Sequence, residues 1–177
     1  MARVKANGIE IEYETAGNTG DPALLLVMGL GAQMTIWPDT LFHGLAAAGY
    51  HVIRFDNRDT GLSTDFGAAG VPDIAAAVSR VMSGQKVEVP YYLKDMAADA
   101  IGLLDALGIE RAHMVGASMG GMIVQIVAAQ HPARTRSMVS IYSTSGRPGL
   151  PIGKPEALAM LSGQPEGPTR EDKIKFG

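Results

Sequence analysis

The sequence predicts an α/β fold with a mainly parallel sheet, an antiparallel hairpin at its start and helices beside it. Apolar runs of strand length at residues 23–28 and 112–117 are typical of parallel strands that are covered on both faces. Residues 91–107, which precede the second of these runs, carry apolar side chains at helical spacing. Because strands alternate with helices, right-handed crossovers and parallel neighbours are expected.

A hairpin is expected to open the fold. Residues 9–15 alternate apolar and polar side chains, which indicates a half-buried strand. The Asn7-Gly8 pair before them is a turn signal, so residues 3–5 are expected to pair with that strand. A second turn at residues 17–22 then leads into the buried strand at 23–28.

The remaining elements alternate between helix and strand, and glycine or proline ends several of them. Their predicted limits are helix 37–49, strand 50–55, loop 56–72, helix 91–107, strand 112–117, helix 122–130 and strand 137–143. Residues 1–145 are therefore expected to form the N-terminal part of a core. The segment 146–177 begins with a stretch rich in Pro, Gly and Ser, and its two expected short helices, 154–162 and 168–176, have no place in the sheet.

The composition suits a soluble globular protein, since 46% of the 177 residues are hydrophobic and 19% are charged. A net charge of −3 gives no basic field that would recruit nucleic acid or an anionic membrane. No apolar stretch approaches the ~20 residues of a membrane span, and the N-terminus lacks the apolar region of a signal peptide. The absence of cysteine fits a reducing cytoplasm, where we expect the protein.

The sequence shows no pattern for a bound cofactor or metal ion. The four histidines are scattered and have no paired carboxylates at ligand spacing, and cysteine ligands are absent. No glycine fingerprint for a dinucleotide or a phosphate follows the first strands. We therefore expect chemistry that needs neither a cofactor nor a metal.

Residues 116–120 read GASMG and place Ser118 at a junction between a strand and a helix. A nucleophilic serine in a tight, strained turn needs neighbours without bulk two residues away, and Gly116 and Gly120 meet that need. Such a turn lifts the hydroxyl above the carboxyl edge of the sheet, where open α/β folds bind ligands. We expect Ser118 to be the nucleophile of an acyl-transfer reaction; an ordinary glycine-rich turn is the alternative.

Two main-chain N–H groups are candidates for an oxyanion hole. The helix after Ser118 presents the N–H of Met119 together with the positive end of its dipole. In sites of this kind the second donor comes from the loop after an earlier strand. That loop is MGLG at residues 28–31, and the N–H of Leu30 is the expected donor. An ordinary strand-to-helix turn is the alternative for this loop.

These motifs resemble those of the α/β-hydrolase superfamily over about residues 6–145. GASMGG (116–121) looks like the family's nucleophile elbow. MGLG (28–31) lies where the family usually has His-Gly before the oxyanion donor, with Met28 in place of the histidine. DNRDTGLS (56–63) resembles the family's Asp-x-Arg-Gly-x-Gly-x-Ser segment, with Asp59 where glycine is usual. The combination is similar to the esterase branch that includes aclacinomycin methylesterase-like proteins.

Asp56 and Arg58 directly follow the strand predicted at 50–55. At such a position a carboxylate and a guanidinium can bond to backbone and loop groups, and partnered groups of this kind usually order a loop. We therefore expect these two residues to form a structural clamp rather than to take part in the chemistry.

A serine nucleophile needs a general base, and the base needs an orienting acid. His131 lies thirteen residues beyond Ser118 along the same helix, about 20 Å away. His113 is expected about 15 Å below the hydroxyl along the preceding strand. His43 is expected on the first helix, and His51 starts a strand at the opposite edge of the sheet. The triad acid and histidine are therefore not expected within this chain.

The family resemblance implies where the missing groups would be. In the family, the acid and the histidine follow later strands, and residues 147–177 look like the start of a lid or cap. We therefore expect the chain to be an N-terminal portion of an α/β hydrolase that is inactive by itself. A C-terminal part of the same protein is the expected partner.

The expected function is hydrolysis of a small-molecule carboxylic ester through an acyl-enzyme. Apolar residues near the expected site favour an apolar substrate, although each could simply pack in the core: Leu30, Met34, Trp37, Met119 and Met122. A C–C bond hydrolase or a cofactor-free perhydrolase would keep the same serine. A non-catalytic ligand-binding protein of this fold is a further alternative.

Overall fold

A computed structural model describes residues 1–147, 149, 150, 153, 154 and 156. The chain divides into two units, Met1–Ser145 and Gly146–Gly177, and the first contains every strand and helix with stated bounds. The predicted helices at 154–162 and 168–176 lie almost wholly outside the described residues. The interpretation of 146–177 as the start of a cap therefore stays a prediction.

A six-stranded mixed sheet forms the centre of the first unit, as the sequence predicts. Its strands are β1 (Ala2–Ala6), β2 (Ile9–Ala16), β3 (Ala23–Val27), β4 (His51–Phe55), β5 (Ala112–Ala117) and β6 (Thr135–Ile141). Their order in the sheet is β1-β2-β4-β3-β5-β6. The hairpin β1–β2 is antiparallel, and β2 is antiparallel to β4. The remaining neighbours in the sheet, β4, β3, β5 and β6, are parallel to one another.

The N-terminal hairpin forms where the Asn-Gly turn predicts it. Asn7 and Gly8 both have positive φ angles, 46° and 82°, which is what a two-residue type I′ turn requires. The turn sets the register so that Ala6 lies opposite Ile9 and Val4 opposite Ile11. Ile11 is thereby placed in the core, and the hairpin is fixed to the parallel part of the sheet through β4.

Four helices accompany the sheet: α1 (Asp39–Ala47), α2 (Ile74–Met82), α3 (Leu93–Ala106) and α4 (Met119–Gln130). Short 3₁₀ turns occur at Met34–Ile36, Gly67–Ala69 and Pro132–Arg134. Within the part of the chain that the structure describes, the helices are all too short or too polar to cross a membrane.

Two hydrophobic clusters lie on opposite faces of the sheet because successive strand residues point to opposite sides. On β3, Leu25 and Val27 belong to the cluster that α3 and α4 cover, whereas Leu24 and Leu26 belong to the cluster with Phe42 of α1. Every residue of β3 and of β4 is buried, as expected for parallel strands between two layers of helix. The central strands are therefore a rigid base for the loops at their carboxyl ends.

The outer strand β6 differs from the other parallel strands in its exposure. Residues 136–140 are all exposed, although they alternate between the two faces of the sheet. Parallel strands are usually buried on both faces. In the described part of the chain, β6 also has a neighbouring strand on one side only, namely β5.

Most predicted elements are confirmed to within two residues of their bounds, and the structure departs further from the prediction at two helices, α4 and α2. Helix α4 begins at Met119 rather than at residue 122, because the adjacent glycines fit a helix that approaches the sheet closely. Strand β6 begins and ends two residues earlier than predicted. Helix α2 was not predicted; it buries no residue, and its clearest sequence signal is Asp73, whose side chain accepts a hydrogen bond from the Ala76 N–H at 2.9 Å.

Helix α4 lies so close to β3 that one helical position has room only for glycine. A Cβ atom on Gly120 would overlap the carbonyl oxygen of Val27 and lie 2.7 Å from that of Met28. A Cβ atom on Gly116, at the end of β5, would in turn overlap the Gly120 carbonyl oxygen. These contacts between backbones bring the start of α4 against the carboxyl ends of β3 and β5.

Two helical glycines should therefore respond in opposite ways to alanine. We expect Gly120→Ala to destabilise the fold by about 1–3 kcal/mol, because its methyl group has no space. Gly44→Ala in α1 meets nothing within 4 Å and should stabilise the fold by about 0.5–1 kcal/mol. Urea unfolding of both variants measures the difference, and equal effects would contradict the close approach of α4.

Candidate active site

Ser118 lies in the one-residue turn between β5 and α4, in a backbone conformation that side chains rarely adopt. Its φ and ψ angles are 54° and −121°. Such strain costs about 1–3 kcal/mol and persists only where the surroundings hold it. Here the Ser118 N–H donates to the Ile141 carbonyl at 3.0 Å, and the Ser143 hydroxyl donates to the Ser118 carbonyl at 2.7 Å.

The side chain of Ser118 is exposed and lies beside the loop that follows β3. A Cβ atom on Gly29 would lie 3.0 Å from the Ser118 Cβ and 3.4 Å from its Oγ. A larger residue at position 29 would therefore press directly on the hydroxyl-bearing side chain. The structure places Ser118 and the MGLG loop together, as the sequence analysis requires.

The two expected oxyanion donors border the same cleft. Leu30 and Met119 both line a cleft of about 250 Å³, together with Arg58, Asp59, Tyr91 and Met96 among others. Met119 is the first residue of α4, so its N–H has no acceptor within the helix. The structure thus brings residues 30 and 119 to one place next to Ser118, and their role as donors stays a prediction.

The loop after β3 is held in place by the two residues that follow β4. The buried carboxylate of Asp56 accepts the Met34 N–H at 2.8 Å and the Leu62 N–H at 3.0 Å. The Asn57 side chain donates to the Met28 carbonyl at 2.9 Å. The predicted clamp role of Asp56 is therefore confirmed, and Asn57, which the sequence analysis did not single out, shares it.

Arg58 extends the clamp to helix α3 through a buried ion pair. Its Nε and Nη2 atoms donate to the two carboxylate oxygens of Asp99 at 2.6 and 2.7 Å, and the Asn7 amide donates to the same carboxylate at 2.8 Å. The hydrogen bonds to Asp99 raise the pKa of Arg58, and burial opposes them. Sequence reasoning missed Asp99; its signal is a carboxylate within the apolar face of α3.

Two aromatic rings, those of Phe66 and Tyr91, pack against the guanidinium group of Arg58. The ring centroids of Tyr91 and Phe66 lie 5.0 and 5.3 Å from its central carbon, and the two rings are 5.2 Å apart. The Tyr91 hydroxyl donates to Asp59 at 2.5 Å, and Asp59 also accepts the Phe66 N–H. Burial, followed by this bond to Asp59, raises the pKa of Tyr91 to about 12.

Asp59 occupies the position at which the related family segment usually has glycine, and its φ angle is 61°. Left-handed backbone at a residue other than glycine carries a steric cost, which aspartate tolerates better than most. The bonds from Tyr91 and Phe66 offset that cost. Where the family segment usually has glycine, this chain therefore has a side chain that binds both ends of the segment 66–91.

Of the apolar residues that were expected near the site, some line the cleft and others do not. Leu30 and Met119 line the cleft, whereas Met34 and Trp37 are buried in the core. Met122 is half-buried on α4 and is not among the residues that line the cleft. For Met34 and Trp37, the core-packing alternative is therefore correct.

The four histidines lie where the sequence predicts them, and none borders the cleft. His43 is on α1, His51 begins β4, and His131 ends α4. The ring of His113 on β5 forms a hydrogen bond with the Ser137 hydroxyl at 2.8 Å. Burial lowers the pKa of His51, and Asp21 opposes that shift. Over the described residues, no three acidic or histidine side chains gather as a metal site would require.

Together, the parallel sheet, the strained serine turn and the neighbouring loop define the class of protein. Residues 22–161 match the family model described as alpha/beta hydrolase fold. The chain belongs to the α/β-hydrolase fold family.

Relatives within the family include hydrolases of several kinds. The chain is 32% identical to rhodomycin D methylesterase DauP of Streptomyces sp. (strain C5), over 89% of the chain and 53% of the relative. It is also 32% identical to a 2-hydroxy-6-oxononadienedioate/2-hydroxy-6-oxononatrienedioate hydrolase of Burkholderia vietnamiensis, over 95% of the chain and 52% of the relative. The chain thus spans about half the length of the curated relatives it matches.

A solved structure shows the same fold. The meta-cleavage product hydrolase CumD of Pseudomonas fluorescens IP01 superposes with a TM-score of 0.70 at 22% identity. The match covers 99% of this chain and 55% of that protein. At this level of identity, the likeness establishes the fold alone.

The buried pair Arg58–Asp99 should contribute far more to stability than the more exposed pair between Asp105, on the same helix as Asp99, and Arg134. We expect Asp99→Ala to cost about 3–5 kcal/mol, because it leaves a buried guanidinium without its partner. Asp105→Ala breaks the pair with Arg134, in which the Asp105 side chain is 60% exposed, and should cost about 1 kcal/mol or less. Thermal and urea unfolding compare them, and similar losses would refute the clamp.

The raised pKa of Tyr91 should be visible in an alkaline titration. The folded state favours the protonated phenol, so this stabilisation is complete below pH ~10 and is lost as the pH rises towards the Tyr91 pKa of about 12. The ultraviolet absorbance of tyrosinate should therefore show an ionisation phase near pH 12 that belongs to Tyr91. Tyr91→Phe should abolish that phase, and Tyr142→Phe, at an exposed position, should leave it intact.

Proposed function

We propose that the protein is a serine hydrolase that acts on carboxylic esters, with Ser118 as the nucleophile. The observation that carries this proposal is the conformation of Ser118: a left-handed backbone that leaves the side chain exposed at the end of β5. A strained position of this kind favours a functional role over a structural one. Its setting between a strand and a helix is that of a nucleophile elbow.

In the proposed reaction, the Ser118 oxygen attacks the ester carbonyl and its proton passes to a general base. The N–H groups of Leu30 and Met119 stabilise the negative charge that develops on the carbonyl oxygen. The carbon–oxygen bond to the alcohol then breaks, the base returns its proton to the alcohol, and an acyl-enzyme remains. Water hydrolyses the acyl-enzyme by the same steps and releases the acid.

We propose that the histidine base and its acid come from polypeptide outside the 177 residues. None of the four histidines borders the cleft, and the chain spans about half of the relatives it matches. The exposed strand β6 supports this proposal, because further strands and helices would cover it. The completing part is a C-terminal region of the same protein, in the same or a separate chain, and we expect the 177 residues alone to be inactive.

A C–C bond hydrolase is the second candidate function. The 32% identity to the hydrolase of 2-hydroxy-6-oxononadienedioate favours it, and the same serine could serve either reaction. A dienedioate substrate carries two carboxylates. Of the two cationic side chains that line the cleft and the adjoining cavity, Arg58 is already engaged with Asp99, which leaves Lys86 alone for two carboxylates. We therefore favour an uncharged ester.

A fluorophosphonate probe tests the nucleophile. We expect the probe to label Ser118, with complete loss in Ser118→Ala and no change in Ser137→Ala, whose hydroxyl lies on β6. Mass spectrometry of the labelled peptide identifies the residue. This labelling is expected when the 177-residue chain is mixed with any C-terminal product of the same gene, and the chain alone, which lacks the proposed base, should stay unlabelled. Labelling elsewhere, or no labelling of a folded and completed protein, would refute the proposal.

A further inference from the structure

A second and larger cavity adjoins the cleft that Leu30 and Met119 line. It has a volume of about 750 Å³, and helix α2 and the segment 86–92 line it. This volume is within the range of ligand-binding pockets, about 300–1,000 Å³. Among the described residues that line it, Lys86 alone carries a charge. We call this cavity the α2 groove.

The wall that α2 contributes has helical periodicity. Five of its residues face the groove at successive turns: Ile74, Ala77, Val78, Val81 and Met82. The whole helix buries no residue, and Val78 and Val81 are 52% and 64% exposed. An apolar face of this kind is costly to leave in water, at about 25 cal/mol for each Å². The groove therefore suits an apolar occupant.

The α2 groove adjoins the cleft, because Tyr91 and Tyr92 line both cavities. The cleft is also lined by Leu30 and by Met119, the residue that follows Ser118. An apolar cavity therefore lies next to the cleft that borders the serine turn.

Tyr91 is held firmly at the junction. Its ring packs against Arg58 and Phe66, and its hydroxyl donates to Asp59. Arg58 is itself fixed to Asp99 of α3. The two cavities therefore share a wall that is held in place by its contacts.

We propose that the α2 groove binds an extended apolar group of the substrate, such as a long alkyl chain, while the reacting carbonyl lies at Ser118. This inference rests on the proposed serine chemistry and adds a substrate class to it. The protein is thus selective for esters with a long hydrophobic group over their short homologues. The occupant is part of the substrate because the groove shares two lining residues, Tyr91 and Tyr92, with the cleft next to the serine turn.

The test compares alkyl fluorophosphonates with an ethyl or a dodecyl chain, which stays attached to the serine after fluoride leaves. In the complete protein, we expect the dodecyl probe to label Ser118 at least tenfold faster than the ethyl probe. The double variant Val78→Asp, Val81→Asp should remove that advantage and change the ethyl rate less than twofold. Ser79→Asp lies on α2 but outside the groove lining and should behave like the unchanged protein.

The outcomes separate this inference from the proposed function. If neither probe labels Ser118 in the unchanged protein, the serine chemistry itself is wrong. If both label it at equal rates, or if the double variant keeps the dodecyl advantage, the groove inference alone is overturned. An equal loss with both probes also overturns it, because the substitutions would then disturb the site regardless of the length of the alkyl chain. Circular dichroism of each variant verifies that the fold is retained.

Discussion

The candidate site depends on the close packing of three backbone segments, at the ends of β3 and β5 and the start of α4. Gly116 and Gly120 allow this packing, because a side chain at either position would overlap a carbonyl oxygen. The turn that remains has room for one residue, Ser118, in a left-handed conformation. A steric constraint therefore determines both the position of the hydroxyl and its exposure.

A polar network beneath the cleft keeps its loops in place. Asp56 and Asn57 hold the loop after β3, and Arg58 connects the loop after β4 to α3. These groups are buried and satisfied by their partners, which is the condition under which a polar network makes a structure specific. The same network reaches Tyr91 through Asp59 and so sets the wall between the two cavities.

The sequence predicts the sheet and the serine turn well, because apolar runs and paired glycines are local signals. It fails where the reason for a structure is remote in the chain. Asp99 is 41 residues from Arg58, and no periodicity identifies such a pair. Helix α2 was missed because it contributes nothing to the core, so its apolar face had no expected partner. Likewise, Met34 and Trp37 follow the loop at residues 28–31 in the sequence, but their side chains are buried in the core.

In the part of the chain that the structure describes, the unpaired side of strand β6 has a consequence for aggregation during synthesis of the polypeptide. Its seven residues lie beside β5, and among the described residues no strand pairs with the other side of β6. Such an edge is a template for any extended segment, including a second copy of itself. If this edge stays unpaired during synthesis, binding of a chaperone or pairing with another strand would protect the nascent chain from aggregation.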